Sequence, residues 1–310
     1  MKAAVVTAFD NPPRYLDFPE PVARAKGEVV VEVLAAGLHP RVRSQANGSH
    51  YTSTGELPLV PGVDAVVRDP EGRIRYAVLD DTALGTMAER TVIELDRSVV
   101  LPDKTDPVIV AAAMNPAMSS WVALRRRIDF HRRQRVLVLG ATGNAGRIAI
   151  QIAKGFGASE VFAAGRDEAR LAELGTLGAD RTCTLDQLAA AAEVDVVIDY
   201  VWGEPAARAM VDLLTARGDR SRPLTWIQIG SIAGPDAPIP SAALRSARLQ
   251  IVGSGIGSVP GRDFIKELPK IAEAAAEGRF DLRARAMPLA EAERAWTEAK
   301  QTSDRIVLVP

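Results

Sequence analysis

VLVLGATGNAG, residues 136–146, is an apolar run that empties directly into a glycine-rich turn. Val136, Leu137, Val138 and Leu139 show no polar alternation, the pattern of a strand covered on both faces in a parallel sheet. The turn reads A-x-G-x-x-G at Ala141, Gly143 and Gly146, with Thr142, Asn144 and Ala145 between them. That is one step from G-x-G-x-x-G. In such a turn Gly143 lets backbone approach a pyrophosphate, and Gly146 lets the alanine-rich helix predicted over residues 147–156 pack close to the strand. Free N–H groups at the helix start favour an anion. Strand, turn and helix in this order read as a dinucleotide phosphate cradle built by these six residues.

A second strand is predicted over 160–164, and it ends in Gly165 and Arg166 about 20 residues beyond Gly146, where the fingerprint places its ribose reader. An acid there would indicate NAD. This chain offers Arg166, then Asp167 and Arg170, and a guanidinium suits a 2′-phosphate dianion. Asp167 reads as the N-cap of the following helix, EARLAEL. Gly165, Arg166 and Arg170 therefore join the candidate cofactor contacts, and the expected cofactor is NADPH.

A chain of 310 residues can bury about three quarters of its unfolded surface, enough for one large or two moderate domains. A formal charge of −1 with 25% charged residues gives no electrostatic argument for nucleic acid or membrane. The single cysteine, Cys183, excludes an intrachain disulfide framework and any multi-cysteine zinc lobe. A reducing, cytoplasmic setting is expected. MKAAVVTAFD reads as a first strand and not as a signal peptide. The apolar stretch 108–124 is interrupted by Asn115, Pro116, Ser119 and Ser120, a poor membrane span.

In chain order, short strand-like runs at 2–9, 28–35, 73–78 and 89–94 suggest an all-β or barrel-like module. Between them a loop-rich segment, 37–62, holds His39, Asn47, His50, Tyr51 and Pro58. Residues 106–124 read as helical pieces broken at Asn115-Pro116. From Val136 strands alternate with helices, the strands at 136–139, 160–164, 181–183, 194–199, 225–230 and 249–253, which is the pattern of an open parallel sheet. The tail is expected to form a long helix over 262–277, another over 289–301 and a last strand over 305–309.

Taken together, VEVLAAGLHP (31–40), GSHY (48–51), LPLVPGVD (57–64), GTMAER (85–90), AMNPAMSSWVAL (113–124), VLVLGATGNAG, VDVVIDYVWG (194–203) and RIVLVP (305–310) resemble the medium-chain dehydrogenase/reductase superfamily, and within it the zinc-free quinone oxidoreductase branch. Each is loose alone; their order and spacing are specific. The resemblance implies an α/β chain with a doubly wound Rossmann domain over 109–255 and a mainly-β GroES-like catalytic domain over 1–108 and 256–310. It also implies a homodimer, joined through an edge strand of the cofactor domain.

Zinc alcohol dehydrogenases of this superfamily need a thiolate two residues after the A-G step and a His beside G-H-E. Here those positions read His39 and Val63, and one His does not make a catalytic zinc site, which needs about three protein ligands. The branch usually carries Asn at the position of His39, near the nicotinamide, so His39 is a catalytic candidate or a His satisfied within its loop. A hydride donor working without metal suits quinones and α,β-unsaturated carbonyls, which are already electrophilic. Tyr51 precedes the L-P pair by the branch's interval and is the candidate donor to the substrate oxygen, against packing of a loop by an amphipathic ring.

The resemblance further places Asp199, Tyr200 and Val201 near a cofactor ribose, and Ile229, Gly230 and Ser231 with Ser254, Gly255 and Ile256 in the turns that hold the nicotinamide amide. The basic run RRRIDFHRRQR, 125–135, follows a helical segment whose C-terminal dipole favours cations, and it reads as a solvated face. Two classes of function remain open: an NADPH-dependent reductase of quinones or activated alkenes, with enoyl-thioester and alcohol/ketone reduction as variants within the superfamily, and a cofactor-binding protein without turnover, in a structural, sensory or nucleic-acid role.

Overall fold

The computed structural model describes all 310 residues, in two compact units, one formed by Met1–Asn115 with Ile265–Pro310 and one by Pro116–Phe264. The N-terminal segment runs β1 (Lys2–Val5), β2 (Arg14–Asp17), β3 (Glu28–Gly37), α1 (Pro40–Ala46), β4 (Asp64–Arg68), β5 (Ile74–Val78), β6 (Arg90–Glu94) and β7 (Ser98–Val100), then α2 (Pro107–Val122). There follow β8 (Arg135–Leu139), α3 (Asn144–Gly155), β9 (Glu160–Gly165), α4 (Glu168–Ala172), β10 (Arg181–Thr184), β11 (Val196–Asp199) and α5 (Gly203–Ala216). The last elements are β12 (Leu224–Gln228), α6 (Ser241–Ser246), β13 (Leu249–Gly253), α7 (Gly261–Ile265), α8 (Leu268–Ala276), β14 (Ala284–Pro288), α9 (Ala292–Glu298) and β15 (Arg305–Val309).

The first unit is mainly β. Its large sheet runs β14-β15-β3-β4-β5-β7, with β6 also pairing β3, and every pair except β14 with β15 is antiparallel. Alternation along β3 explains its placement: Val31 and Val33 are buried while Glu32 between them faces solvent and reaches Arg68 at 3.1 Å. The chain's last strand closes this unit, with Val307 opposite Gly37 and Leu308 opposite Ala36.

In the second unit six strands pair in the order β10-β9-β8-β11-β12-β13, all in parallel. Val136, Leu137, Val138 and Leu139 are each 0% exposed, as an unalternated apolar strand requires. The order reverses between β8 and β11, so the crevice for ligands lies at their carboxyl ends. This is the doubly wound Rossmann arrangement.

Three expectations need correction. Residues 106–124 do not break at Asn115-Pro116: α2 continues through Pro116. Ala112, Ala113, Met114 and Ala117 are fully buried around it, and this packing outweighs the missing N–H and ring clash that usually end a helix at proline. By length and composition the helical stretch Pro107–Arg127 could cross a membrane, yet 67% of its most apolar window is buried in the fold, so its apolarity serves the core. The tail helix expected over 262–277 is two helices, α7 and α8, because Pro269 starts a new one at its first turn. Finally, β2, β4, β7 and β14 had no sequence signal; they are three to five residues long, too short for a hydrophobic period to show.

Candidate active site

The candidate cofactor contacts belong to the Rossmann unit. Gly140, at φ 79°, turns the chain out of β8, and Gly143 caps α3 without any side-chain hydrogen bond to the first helical amides. A Cβ on Gly146 would stand 2.3 Å from the Gly140 carbonyl oxygen and 2.6 Å from Ala141 Cα, so only glycine lets α3 pack on the strand. A Cβ on Gly143 would meet only Gly140 O, at 3.5 Å. The protein therefore does not require glycine at 143 for its own packing, and the absent side chain leaves the amides at the α3 start open to a phosphate. Ala141, Thr142, Asn144 and Ala145 complete this turn.

At the end of β9, Gly165 is closed over by Thr142, whose Cγ2 would lie 3.0 Å from an added Cβ. Arg166 is exposed and makes no hydrogen bond or ion pair within the chain. Asp167 does cap α4, its Oδ1 accepting from Arg170 N at 3.2 Å. Arg170 Nε lies 3.4 Å from Asp167 Oδ2, with about half of each side chain exposed. The two guanidiniums and the missing acid at the strand end fit a 2′-phosphate, and this donor set with the open glycine cradle fits NADPH.

Farther along the carboxyl edge, the side chain of Asp199 serves the protein itself. It is fully buried; Oδ1 accepts from Val201 N at 2.7 Å and Trp202 N at 2.9 Å, and Oδ2 accepts from Trp226 Nε1 at 2.9 Å. Burial raises its pKa above the ordinary carboxylate value while the three donors oppose that rise. Its carbonyl accepts from Ile229 N and Gly230 N at 2.8 and 3.1 Å, so those two amides are already engaged within the chain. Ser119 Oγ donates to Pro116 O at 2.6 Å, which makes Tyr200 the donor to Ser119 Oγ at 2.9 Å. Burial pushes the Tyr200 phenol up to about 12. In the other turn Ser254 N donates to Gln228 O at 2.8 Å, Gly255 is tied to Ser258, and Ile256 is 59% exposed.

The first unit holds the catalytic candidates. Tyr51 is 70% exposed and stacks on His50, centroids 4.2 Å apart. His50 Nδ1 accepts from Thr52 N at 3.2 Å, and burial with the nearby Arg41 charge lowers its pKa to about 4. Below the loop Arg41, Thr52 and Asp81 form a tight cluster in which Arg41 and Thr52 both donate to Asp81. Arg41 Nε and one Nη, with Asp81 Oδ1, are buried without partners.

His39 does not share that loop's exposure: it is 1% exposed, at the N-cap of α1. Its Nε2 lies 2.8 Å from Asp64 Oδ1, and Tyr76 donates to Asp64 Oδ2 at 2.6 Å. Burial holds the imidazole pKa below its ordinary value, with Asp64 opposing, so the ring is neutral. A carboxylate oxygen accepts, hence Nε2 carries the hydrogen and Nδ1 the lone pair; Nδ1 is buried without a partner. Arg305, whose pKa burial lowers to about 10, donates to Leu38 O at 2.9 Å beside this group. Sequence reasoning singled out His39 but none of its partners; Asp64 and Arg305 lay within the quoted motifs with nothing local to mark them as a pair.

A doubly wound sheet with an open glycine turn at its order reversal, joined to a mainly-β unit, defines a dinucleotide-dependent dehydrogenase or reductase. A family profile described as zinc-binding dehydrogenase matches residues 145–274. The chain is 28% identical to a probable NADPH-dependent quinone reductase of Emericella nidulans, with both chains fully covered. It is 31% identical to an NADPH-dependent alkenal/one oxidoreductase of Arabidopsis thaliana over 49% of this chain and 44% of that one. The crystal structure of a quinone oxidoreductase from Thermus thermophilus superposes over the full length of both chains with a TM-score of 0.85 at 26% identity. These likenesses support a quinone oxidoreductase-like place in the medium-chain dehydrogenase/reductase superfamily. The zinc in the matched family's description does not fit these residues. No three His, Cys, Asp or Glu side chains are grouped to hold a metal, Val63 is a buried apolar residue, and His39 is engaged by Asp64.

Proposed function

We propose that this protein is an NADPH-dependent oxidoreductase that reduces quinones or α,β-unsaturated carbonyls without zinc. The observation that carries this reading is the end of β9, where an unpaired Arg166 occupies the ribose-reading position beside an open glycine cradle. The full-length relative named as an NADPH-dependent quinone reductase and the partial relative named for alkenals and alkenones support the same acceptors. When bound, the dinucleotide supplies a hydride. The chain's own part is to hold the phosphates on the α3 amides, to pair the 2′-phosphate with Arg166 and Arg170, and to place a donor at the acceptor's oxygen. The Tyr51 hydroxyl is that donor, and His50, neutral above about pH 4, braces its ring. His39 is the second catalytic candidate, a neutral group fixed by Asp64.

Zinc independence is supported by the absence of a three-ligand set. A reducing, cytoplasmic setting is supported by Cys183, a buried lone thiol whose pKa burial pushes up to about 11. The test is NADPH oxidation with a panel of quinones and enones, before and after dialysis against a chelator. Undiminished turnover after chelation is expected. Stoichiometric zinc in the purified protein, with activity lost on its removal, overturns the metal-free reading, and no turnover with any acceptor leaves a binding protein.

A further inference from the structure

Three non-glycine residues have a positive φ: Lys104, Arg133 and Trp202. Trp202, at φ 50° and ψ −162°, lies outside the left-handed helical well, in territory that essentially only glycine occupies without strain. The turn is pinned in this shape. Asp199 holds the amides of Val201 and Trp202, and Ala233 N donates to Val201 O at 2.9 Å. The next residue, Gly203, continues at φ 68°, so glycine in both places would meet every backbone demand of the turn. The tryptophan is kept for its side chain.

Its position says what for. Asp199 pairs with Leu139 across the order reversal of the sheet, so Trp202 stands at the carboxyl edge where such sheets bind ligands. A Cβ on Gly140 would touch Val201 Cγ2 at 3.3 Å and Tyr200 Cβ at 3.4 Å, which sets this turn against the phosphate cradle. Trp202 Nε1 donates to Pro235 O at 3.1 Å, fixing the indole, and the residue is only partly buried against the core beneath. A large ring held still at a ligand edge, on a strained backbone, is a stacking surface.

We propose that Trp202 is a specificity-determining residue whose indole stacks on the planar conjugated ring of the electron acceptor, favouring flat bicyclic quinones over compact acyclic enones. The proposal rests on the oxidoreductase reading above. Its energy source is ring-on-ring contact, which an acyclic enone offers little of.

The test compares Trp202→Phe, Trp202→Ala and Trp202→Gly with the wild-type protein, reading menadione and mesityl oxide binding calorimetrically in the presence of NADP⁺, NADPH affinity, and melting temperature. Menadione affinity should fall about tenfold in both the Ala and Gly variants and stay within about threefold for Phe, while mesityl oxide and NADPH affinities hold. Trp202→Gly should nonetheless melt above Trp202→Ala, because only glycine relaxes the turn. Ligand loss equal in two variants of unequal stability separates stacking from packing. Menadione affinity that follows melting temperature, is unchanged throughout, is absent in the wild type, or gives way to a loss confined to NADPH overturns the proposal. A wild type that binds menadione through Trp202 but oxidises no NADPH supports the proposal and rejects the oxidoreductase reading.

Discussion

Arg166 is the residue on which the proposed cofactor choice turns. Being exposed and without an intramolecular partner, it gives up nothing to bind a phosphate dianion, and a charge-assisted pair of this kind is worth about 1.5–3 kcal/mol. Arg166→Asp is expected to weaken NADPH binding by about tenfold to a hundredfold and to strengthen NADH binding, read from both dissociation constants; unchanged NADPH affinity refutes the assignment. Tyr51 is judged by rate. One donor aimed at a developing oxyanion is worth about 10²-fold or more when water is excluded, but Tyr51 is 70% exposed, so Tyr51→Phe should lower kcat about tenfold. The loss should be larger for enones than for quinones, with NADPH affinity unchanged; intact kcat for both makes Tyr51 a packing residue. His39 carries a pH prediction. Its folded pKa lies below 6.5, so in acid the unfolded chain binds a proton that the folded chain refuses, and stability falls as pH drops below 6.5. The slope reaches about 1.4 kcal/mol per pH unit until the folded pKa is met. His39→Asn, which keeps a donor for Asp64 and does not titrate, should make the fall of the urea midpoint between pH 6.5 and 5 shallower, leaving the part due to His50; an unchanged slope assigns the dependence to other groups.

At the scale of the element, the turn from β8 into α3 separates fold from function by two glycines. Gly146→Ala forces a Cβ to 2.3 Å from backbone and should destabilise the Rossmann unit by about 1–3 kcal/mol or more, seen as a lower melting temperature. Gly143→Ala adds a methyl in ordinary contact, at φ −80° that any residue adopts. It should leave melting unchanged while weakening NADPH binding, because the methyl enters the space a phosphate needs. If both variants melt alike, Gly143 is a turn residue only. This element was legible in the sequence because all its determinants are local. α2 was not: Pro116 is a strong local breaker, and only burial of the surrounding alanines and Met114, invisible to periodicity, keeps the helix whole.

At the scale of the whole molecule, an uncovered sheet edge bears on assembly. β13 pairs only with β12, leaving one edge of the six-stranded sheet without a partner, and such edges are either covered or liable to aggregate. Pairing of two copies along β13 around a two-fold axis removes the exposed edge. Light scattering at micromolar concentration should report twice the 33.1 kDa chain mass; a monomer rejects the dimer. The sequence by itself determined the Rossmann sheet, the glycine turn from β8 into α3 and Asp167 as a cap, since each depends on neighbours within one strand, turn and helix. Tertiary structure alone decided the state of His39, joined to Asp64 25 positions away, beside an Arg305 that bonds Leu38 across 267 positions. It alone revealed that the Asp199 side chain clamps a turn, and that Trp202 occupies a backbone shape meant for glycine. Burial and backbone angle are properties of the packed chain, and no spacing in the sequence encodes them.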